Sequence, residues 1–175
     1  RDRVKVIIDK IQSLEPDILV STGDIVDGNL GDPNKLSRLF QGIRPKYGKY
    51  AVTGNHEYYI PLDYALDFMK KSGFIILRDQ VRTIPGLINI AGVDDRREDP
   101  GAHDYHLLSS IDNDLFTLFL KHRPLVAQNC PGLFDLQLSG HTHGGQIFPF
   151  GFISSMFFPF LKGYYELPGG SAIYT

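Results

Sequence analysis

Histidines, carboxylates and one carboxamide gather just after short apolar runs in this chain, and that placement is where its chemistry is to be sought. Gly23-Asp24 follows the run 17–22, Gly54-Asn55-His56-Glu57 follows 50–53, His122 follows 115–120, and Gly140-His141-Thr142-His143-Gly144-Gly145 follows 133–138. A strand fixes the position of the residue that follows it. A neighbouring glycine lets the backbone come close to an ion or a substrate.

The residue types narrow the metal. Imidazole nitrogens, a carboxylate and a carboxamide oxygen, with no thiolate among them, suit Mn, Fe, Zn or Co better than Mg or Ca, which prefer all-oxygen shells. His141 and His143 stand two apart in a turn, so their rings can serve two neighbouring ions, with a carboxylate such as Asp24 between them. Two ions about 3.5–4 Å apart bind both the attacking and the leaving oxygen of a phosphoryl displacement and bring the pKa of bound water toward neutrality.

The elements that must position these residues follow from periodicity. Val4, Ile8 and Ile11, with Ile7 and Leu14 beside them, predict a first helix ending before Pro16. The runs 17–22 and 50–53 are too short for helices and rich in β-formers, so they read as buried strands. A polar loop (Asp27, Gly28, Asn29, Gly31, Asp32, Pro33) leads to a short helix over 35–40. Another helix spans 62–71, with Gly73 as its stop. The segments 74–77, 81–84 and 87–91 read as an antiparallel meander, and 115–120 and 133–138 as further strands. Alternating helix and strand followed by a strand-rich half predicts two packed sheets with helices outside. No internal repeat is present.

Composition sets bounds. The 175 residues, 42% of them hydrophobic, predict a single domain able to bury a core. The net charge of −2, with no run of five like charges, argues against nucleic acid as a partner. Cys130 is the one cysteine and forms no internal disulfide, which permits a reducing compartment such as the cytoplasm. The first 14 residues are amphipathic and charged, unlike a signal peptide. Because the chain opens straight into a helical pattern with nothing to cap it, a longer protein is expected, truncated here at the N-terminus and open to truncation at the C-terminus.

Taken in order, G-D-I-V-D-G, G-N-H-E, the isolated His122 and G-H-T-H-G-G resemble the calcineurin-like metallophosphoesterases across nearly the whole chain. Ala91-Gly92-Val93-Asp94-Asp95 and the G-H-T-H-G-G-Q ending are most similar to the family's bacterial phosphodiesterase branch, whose members often carry an N-terminal membrane anchor or export signal. The resemblance implies an α+β fold of α/β type, a four-layer αββα sandwich of two mixed sheets. It implies a hydrolase of phosphate esters working with two divalent cations.

Residue by residue, it makes Asp24 the carboxylate shared by both ions, with Asn55, His122 and His141 completing the second site and His143 binding the first. His56 becomes the histidine that binds no metal and stabilises charge or protonates the leaving alkoxide. Asp27 supports these residues from outside the ligand set. The family also begins with a strand bearing Asp-x-His, expected ahead of Arg1. The literal match Asp104-Tyr105-His106 is out of order and reads as a helix start capped by Asp104.

Several of these residues have plain readings as well. Asp24 alone would be a turn residue and His122 alone a core histidine; only their company points to a site. His103 and His106 read as surface residues, Glu57 as a residue that caps or positions its loop, and Cys130 as structural. A second class of function, a scaffold that keeps the fold for protein contacts with weak or no catalysis, is opposed by His56, which a scaffold does not need.

The stretch 147–161 holds six Phe and one Met beside the last cluster, and is too short and too broken by Pro149, Gly151 and Pro159 to span a bilayer. It reads equally as core or as a hydrophobic lid that rests on a membrane surface or receives a lipid-linked substrate. Membrane association is therefore an expectation alongside the cytoplasm.

Overall fold

A computed structural model describes residues 2–28, 31–95, 100–112, 114–143 and 159–175. Of the apolar stretch 147–161, residues 147–158 lie outside this set, as do Asn29, Gly144 and Gly145. The lid and membrane-contact expectation therefore falls there.

The elements run α1 (Asp2–Ser13), β1 (Leu19–Ser21), α2 (Pro33–Gln41), β2 (Lys49–Ala51), α3 (Leu62–Lys71), β3 (Ile75–Ile76), β4 (Gln80–Ile84), β5 (Ile88–Gly92), α4 (Pro100–Ser109), β6 (Phe116–Leu120), β7 (Leu136–Leu138), β8 (Tyr164–Glu166) and β9 (Ala172–Tyr174). They build two sheets. The smaller is parallel in the order β1-β2-β3, and the larger is mixed in the order β4-β5-β6-β7-β9-β8. Among the described residues no helix is long and apolar enough to cross a membrane.

The layering follows from the alternation of side chains along each strand. In β2 and the residue after it, Tyr50 and Val52 face one way, joining Leu77, Ile90, Leu118 and Leu120 in the core between the sheets. Ala51 faces the other way, against Ala65, Phe68 and Met69 of α3 and Leu36 and Phe40 of α2. The larger sheet does the same. Ala91 and Phe119 turn outward to meet Leu108 of α4, with Phe134 and the buried thiol of Cys130. Helix, sheet, sheet and helix thus stack with a separate apolar seam at each interface, the sandwich expected from the sequence.

Local chemistry explains where elements begin. Helix α2 starts before the expected 35–40 because Pro33 fits a first helical turn and the Asp32 side chain caps it, accepting from the Lys35 amide at 3.0 Å. Helix α3 ends as predicted at Gly73, whose φ of 87° suits glycine and whose amide donates to the Lys70 carbonyl.

Ile8 carries the buried contact of the first helix, while Ile7 and Leu14 are exposed. Three expectations are corrected. The segment 74–77 does not belong to an antiparallel meander: β3 pairs parallel with β2 in the smaller sheet, and of the three expected segments the other two, β4 and β5, form an antiparallel hairpin. Asp104 does not cap a helix, since α4 begins at Pro100. It lies on the inward face of α4, where its carboxylate is buried against the Lys121 ammonium. The β8–β9 pair has no counterpart among the expected strands. His103 and His106 are exposed, as expected.

The consequence for function is positional. Strands β1, β2, β6 and β7 all run into the clusters singled out above, so both sheets deliver their chemistry-bearing loops to one edge, outside the carboxyl ends of parallel strands.

Candidate metal centre

Each side chain at this edge is set by the strand before it. Thr22, immediately after β1, turns its carbonyl to the Nδ1 of His122, 2.8 Å away. A carbonyl only accepts, so Nδ1 carries the hydrogen and Nε2 faces the cluster. That Nε2 lies 3.0 Å from Asn55 Oδ1, 3.1 Å from His141 Nδ1 and 3.3 Å from Asp24 Oδ2. His141 Nδ1 is in turn 2.8 Å from Asn55 Oδ1. Asp24, Asn55, His122 and His141, drawn from four loops, therefore converge on one point.

The backbone is forced to make this happen. Asp24, His141 and His143 all adopt left-handed φ, at 55°, 68° and 49°, a conformation that costs non-glycine residues energy and is held only by surrounding structure. Much of that hold comes from Glu57. Its side chain is fully buried, and its carboxylate accepts the amides of Asp24 at 2.9 Å, Val26 at 3.0 Å and Gly54 at 2.7 Å. One residue thus locks the loop after β1 to the loop after β2. The loops touch so closely that a Cβ on Gly54 would lie 2.2 Å from Asp24 Oδ1.

Further braces surround the cluster. Tyr59 receives the Asn55 Nδ2 hydrogen bond at 2.8 Å, which turns Oδ1 of that amide toward the histidines, and its ring lies against His56. Arg123, next to His122, forms a two-bond ion pair with Asp95 at 2.9 and 3.2 Å. The Asp95 amide donates to Thr53 Oγ1, whose hydroxyl also bonds Asp94. Asp94 is bound by Arg78; burial alone would raise its pKa, but Arg78 and Thr53 hold it below the usual carboxylate range. The Ala91 to Asp95 stretch therefore contributes braces to the site, while its carboxylates stay outside the donor cluster.

His56 sits at the edge of the cluster. Its amide donates to Asp24 Oδ1 at 3.0 Å, its Nδ1 is 2.9 Å from Asp27 Oδ1, and its Nε2 is 3.9 Å from Asp24 Oδ2. His143 lines the same cavity at an exposed position. That cavity, about 510 Å³, is also lined by Gly23, Gly140, Thr142, Leu161 and Lys162.

The donors fit a single cation. Groups bound about 2.1 Å from one ion stand roughly 3.0–3.4 Å apart, close to the spacing of these four. Among the described residues no group of three or more His, Cys, Asp and Glu side chains by itself forms a metal cage. The set here is completed by the carboxamide of Asn55.

The electrostatics agree with a positive centre. Burial works against a charge on His122, but Asp24 outweighs it and holds the imidazole pKa above 6.5. Burial would raise Asp24, yet bonds from His122 and the His56 amide bring it below 3.8. Burial, followed by the nearby His122 charge, pushes His141 down to about 4. Asp24 thus favours positive charge at the place that a metal ion would fill.

Comparison with known proteins gives the same direction. The family model described as calcineurin-like phosphoesterase matches residues 1–145. An uncharacterized metallophosphoesterase of Aquifex aeolicus is 38% identical over 98% of this chain and 68% of its own length. One of Helicobacter pylori is 31% identical over the whole chain and 49% of its own length. A transmembrane protein with metallophosphoesterase domain from Bos taurus is 30% identical over the whole chain and 44% of its own. The chain thus spans about half the length of the latter two.

Two outcomes follow from the geometry. Glu57→Gln puts an amide NH₂ against backbone donors and should cost about 2–3 kcal/mol in urea unfolding while weakening metal binding, because both loops lose their clamp. Unchanged stability together with unchanged metal affinity would show that the clamp is dispensable. The second outcome concerns pH. Because the His122 pKa is raised, its protonated pairing with Asp24 stabilises the metal-free fold fully below 6.5 and is lost as pH rises through the raised value. An entering cation must displace that proton, so apparent affinity should climb by up to about tenfold per pH unit while pH is below the raised value, then level off above it. Calorimetric titration in buffers of different ionisation enthalpy counts the released proton. A pH-independent affinity without proton release contradicts the assignment.

Proposed function

The chain belongs to the calcineurin-like phosphoesterase family, and from that membership we propose that it hydrolyses phosphate esters at a dinuclear centre built on Asp24, Asn55, His122, His141 and His143. The observation that carries this reading is the convergence of four donors from four loops, of which Asp24, His122 and His141 line a cavity of about 510 Å³, with a braced histidine beside them. Asn55, His122 and His141 would hold one ion, His143 another, and Asp24 both; Mn, Fe, Zn or Co suits the donors. When bound, such ions activate water near neutral pH and screen the charge of the phosphate.

The protein's own groups supply the rest. Asp24, kept ionised by His122 and the His56 amide, presents its carboxylate throughout the working pH range. Asp27 takes the Nδ1 hydrogen of His56, which orients the ring and leaves Nε2 directed toward the cluster. From there Nε2 can give its proton to the leaving alkoxide, so that the P–O bond breaks without releasing a strongly basic anion. The packing of Tyr59 against the ring limits the directions in which that proton can be offered.

The test separates the two roles. His56→Ala should retain its metal and lose about two to four orders of magnitude in turnover of a chromogenic phosphate ester. Asp24→Ala and His141→Ala should lose metal together with activity. Loss of metal from the His56 variant would make that residue a ligand, and full metal content in both of the others would remove the basis for the centre.

A further inference from the structure

Lys162 stands on the wall of the cavity that Asp24, His122, His141 and His143 also line, and among the described lining residues it is the only lysine or arginine. Its backbone is held firmly. Gly163 and Thr175 exchange both amide-to-carbonyl bonds, at 2.9 and 3.0 Å, where the β8–β9 pair begins. The Tyr165 hydroxyl donates to the Lys162 carbonyl at 3.0 Å. The carbonyl of Leu161, just before it, accepts from Thr142 Oγ1 at 2.7 Å, and Thr142 lies between His141 and His143. Strand β9 in turn pairs with β7, which leads into Gly140. The position of Lys162 is therefore tied to the donor loop both by the sheet and by a direct side-chain bond.

A cation beside a centre for divalent ions is repelled by it unless an anion stands between them. A lysine exposed on this cavity wall therefore gains most once a phosphate is bound. Resting on the phosphate-ester reading of this site, we propose that Lys162 is a substrate-binding and specificity residue, taking a non-bridging oxygen of the phosphate from the wall next to the His141–His143 loop. A point charge on a flexible stem favours the ligand with more charge, so its contribution is larger for phosphate dianions, as in monoesters and inorganic phosphate, than for diester monoanions.

The experiment uses the full protein loaded with Mn, inorganic phosphate as the binding probe, and a paired monoester and diester of p-nitrophenol as substrates. Lys162→Gln should weaken phosphate binding about tenfold or more, raise KM for the monoester more than for the diester, and leave metal affinity equal or slightly tighter. Lys162→Arg should restore most of the phosphate affinity. Equal phosphate affinity in wild type and Lys162→Gln overturns the proposal, as does absence of phosphate binding by the wild type, or loss in Lys162→Arg as large as in Lys162→Gln. A fall in metal affinity in Lys162→Gln would show a merely structural role and overturn it too. Wild-type turnover of either ester, read in the same preparation, reports on the hydrolase reading independently of these outcomes.

Discussion

A carboxylate bonded to three backbone amides is what the rest of the site depends on. Glu57 is fully buried, and it joins the amides of Asp24, Val26 and Gly54 across two loops that would otherwise be free to part. Three charge-assisted bonds offset the cost of taking that charge out of water. They also hold Asp24 in a left-handed conformation and press its Oδ1 against the site where Gly54 leaves no room for a side chain. The second half of the site is secured differently. His122 is bound through Nδ1 to the carbonyl of Thr22, so the loop after a strand of the smaller sheet orients a histidine that follows a strand of the larger one. The two sheets are thus joined at this edge by polar bonds as well as by the apolar seam between them.

These bonds explain why acceptors can be crowded together. His122 Nε2 lies within 3.3 Å of acceptor atoms of Asp24, Asn55 and His141, a crowding that is unfavourable unless something positive lies among them. The charges fit that demand: Asp24 raises the His122 pKa, while burial, followed by His122, brings His141 down to about 4. Strain at Asp24, His141 and His143 is what the fold maintains to keep the donors preorganised.

Much of this was legible in the sequence, for physical reasons. Short apolar runs followed by Gly-Asp, Gly-Asn-His-Glu and Gly-His-Thr-His mark strand ends, and the structure does bring Asp24, Asn55, His122 and His141 together with His56 beside them. Helix α3 was readable from its period and from Gly73. Glu57 was readable as a residue that positions its loop, though its hold on two separate loops was not, because which amides a carboxylate meets is a long-range property. Asp104 misled because a polar residue near a helix start looks like a cap, whereas a buried lysine 17 residues later in the sequence claims it. Strand β3 misled because two residues of apolar pattern do not say which sheet they join. Strands β8 and β9, three residues each, carry too little periodicity to register, and with them the position of Lys162 was hidden.

The central claim is that the four converging donors share one divalent ion. Anomalous diffraction from crystals of the Mn-loaded full protein tests it most directly. The account predicts an anomalous peak about 2.0–2.3 Å from His122 Nε2, His141 Nδ1, Asn55 Oδ1 and an Asp24 oxygen together. An ion found elsewhere, with these four side chains still in the mutual contacts they make without it, would contradict it.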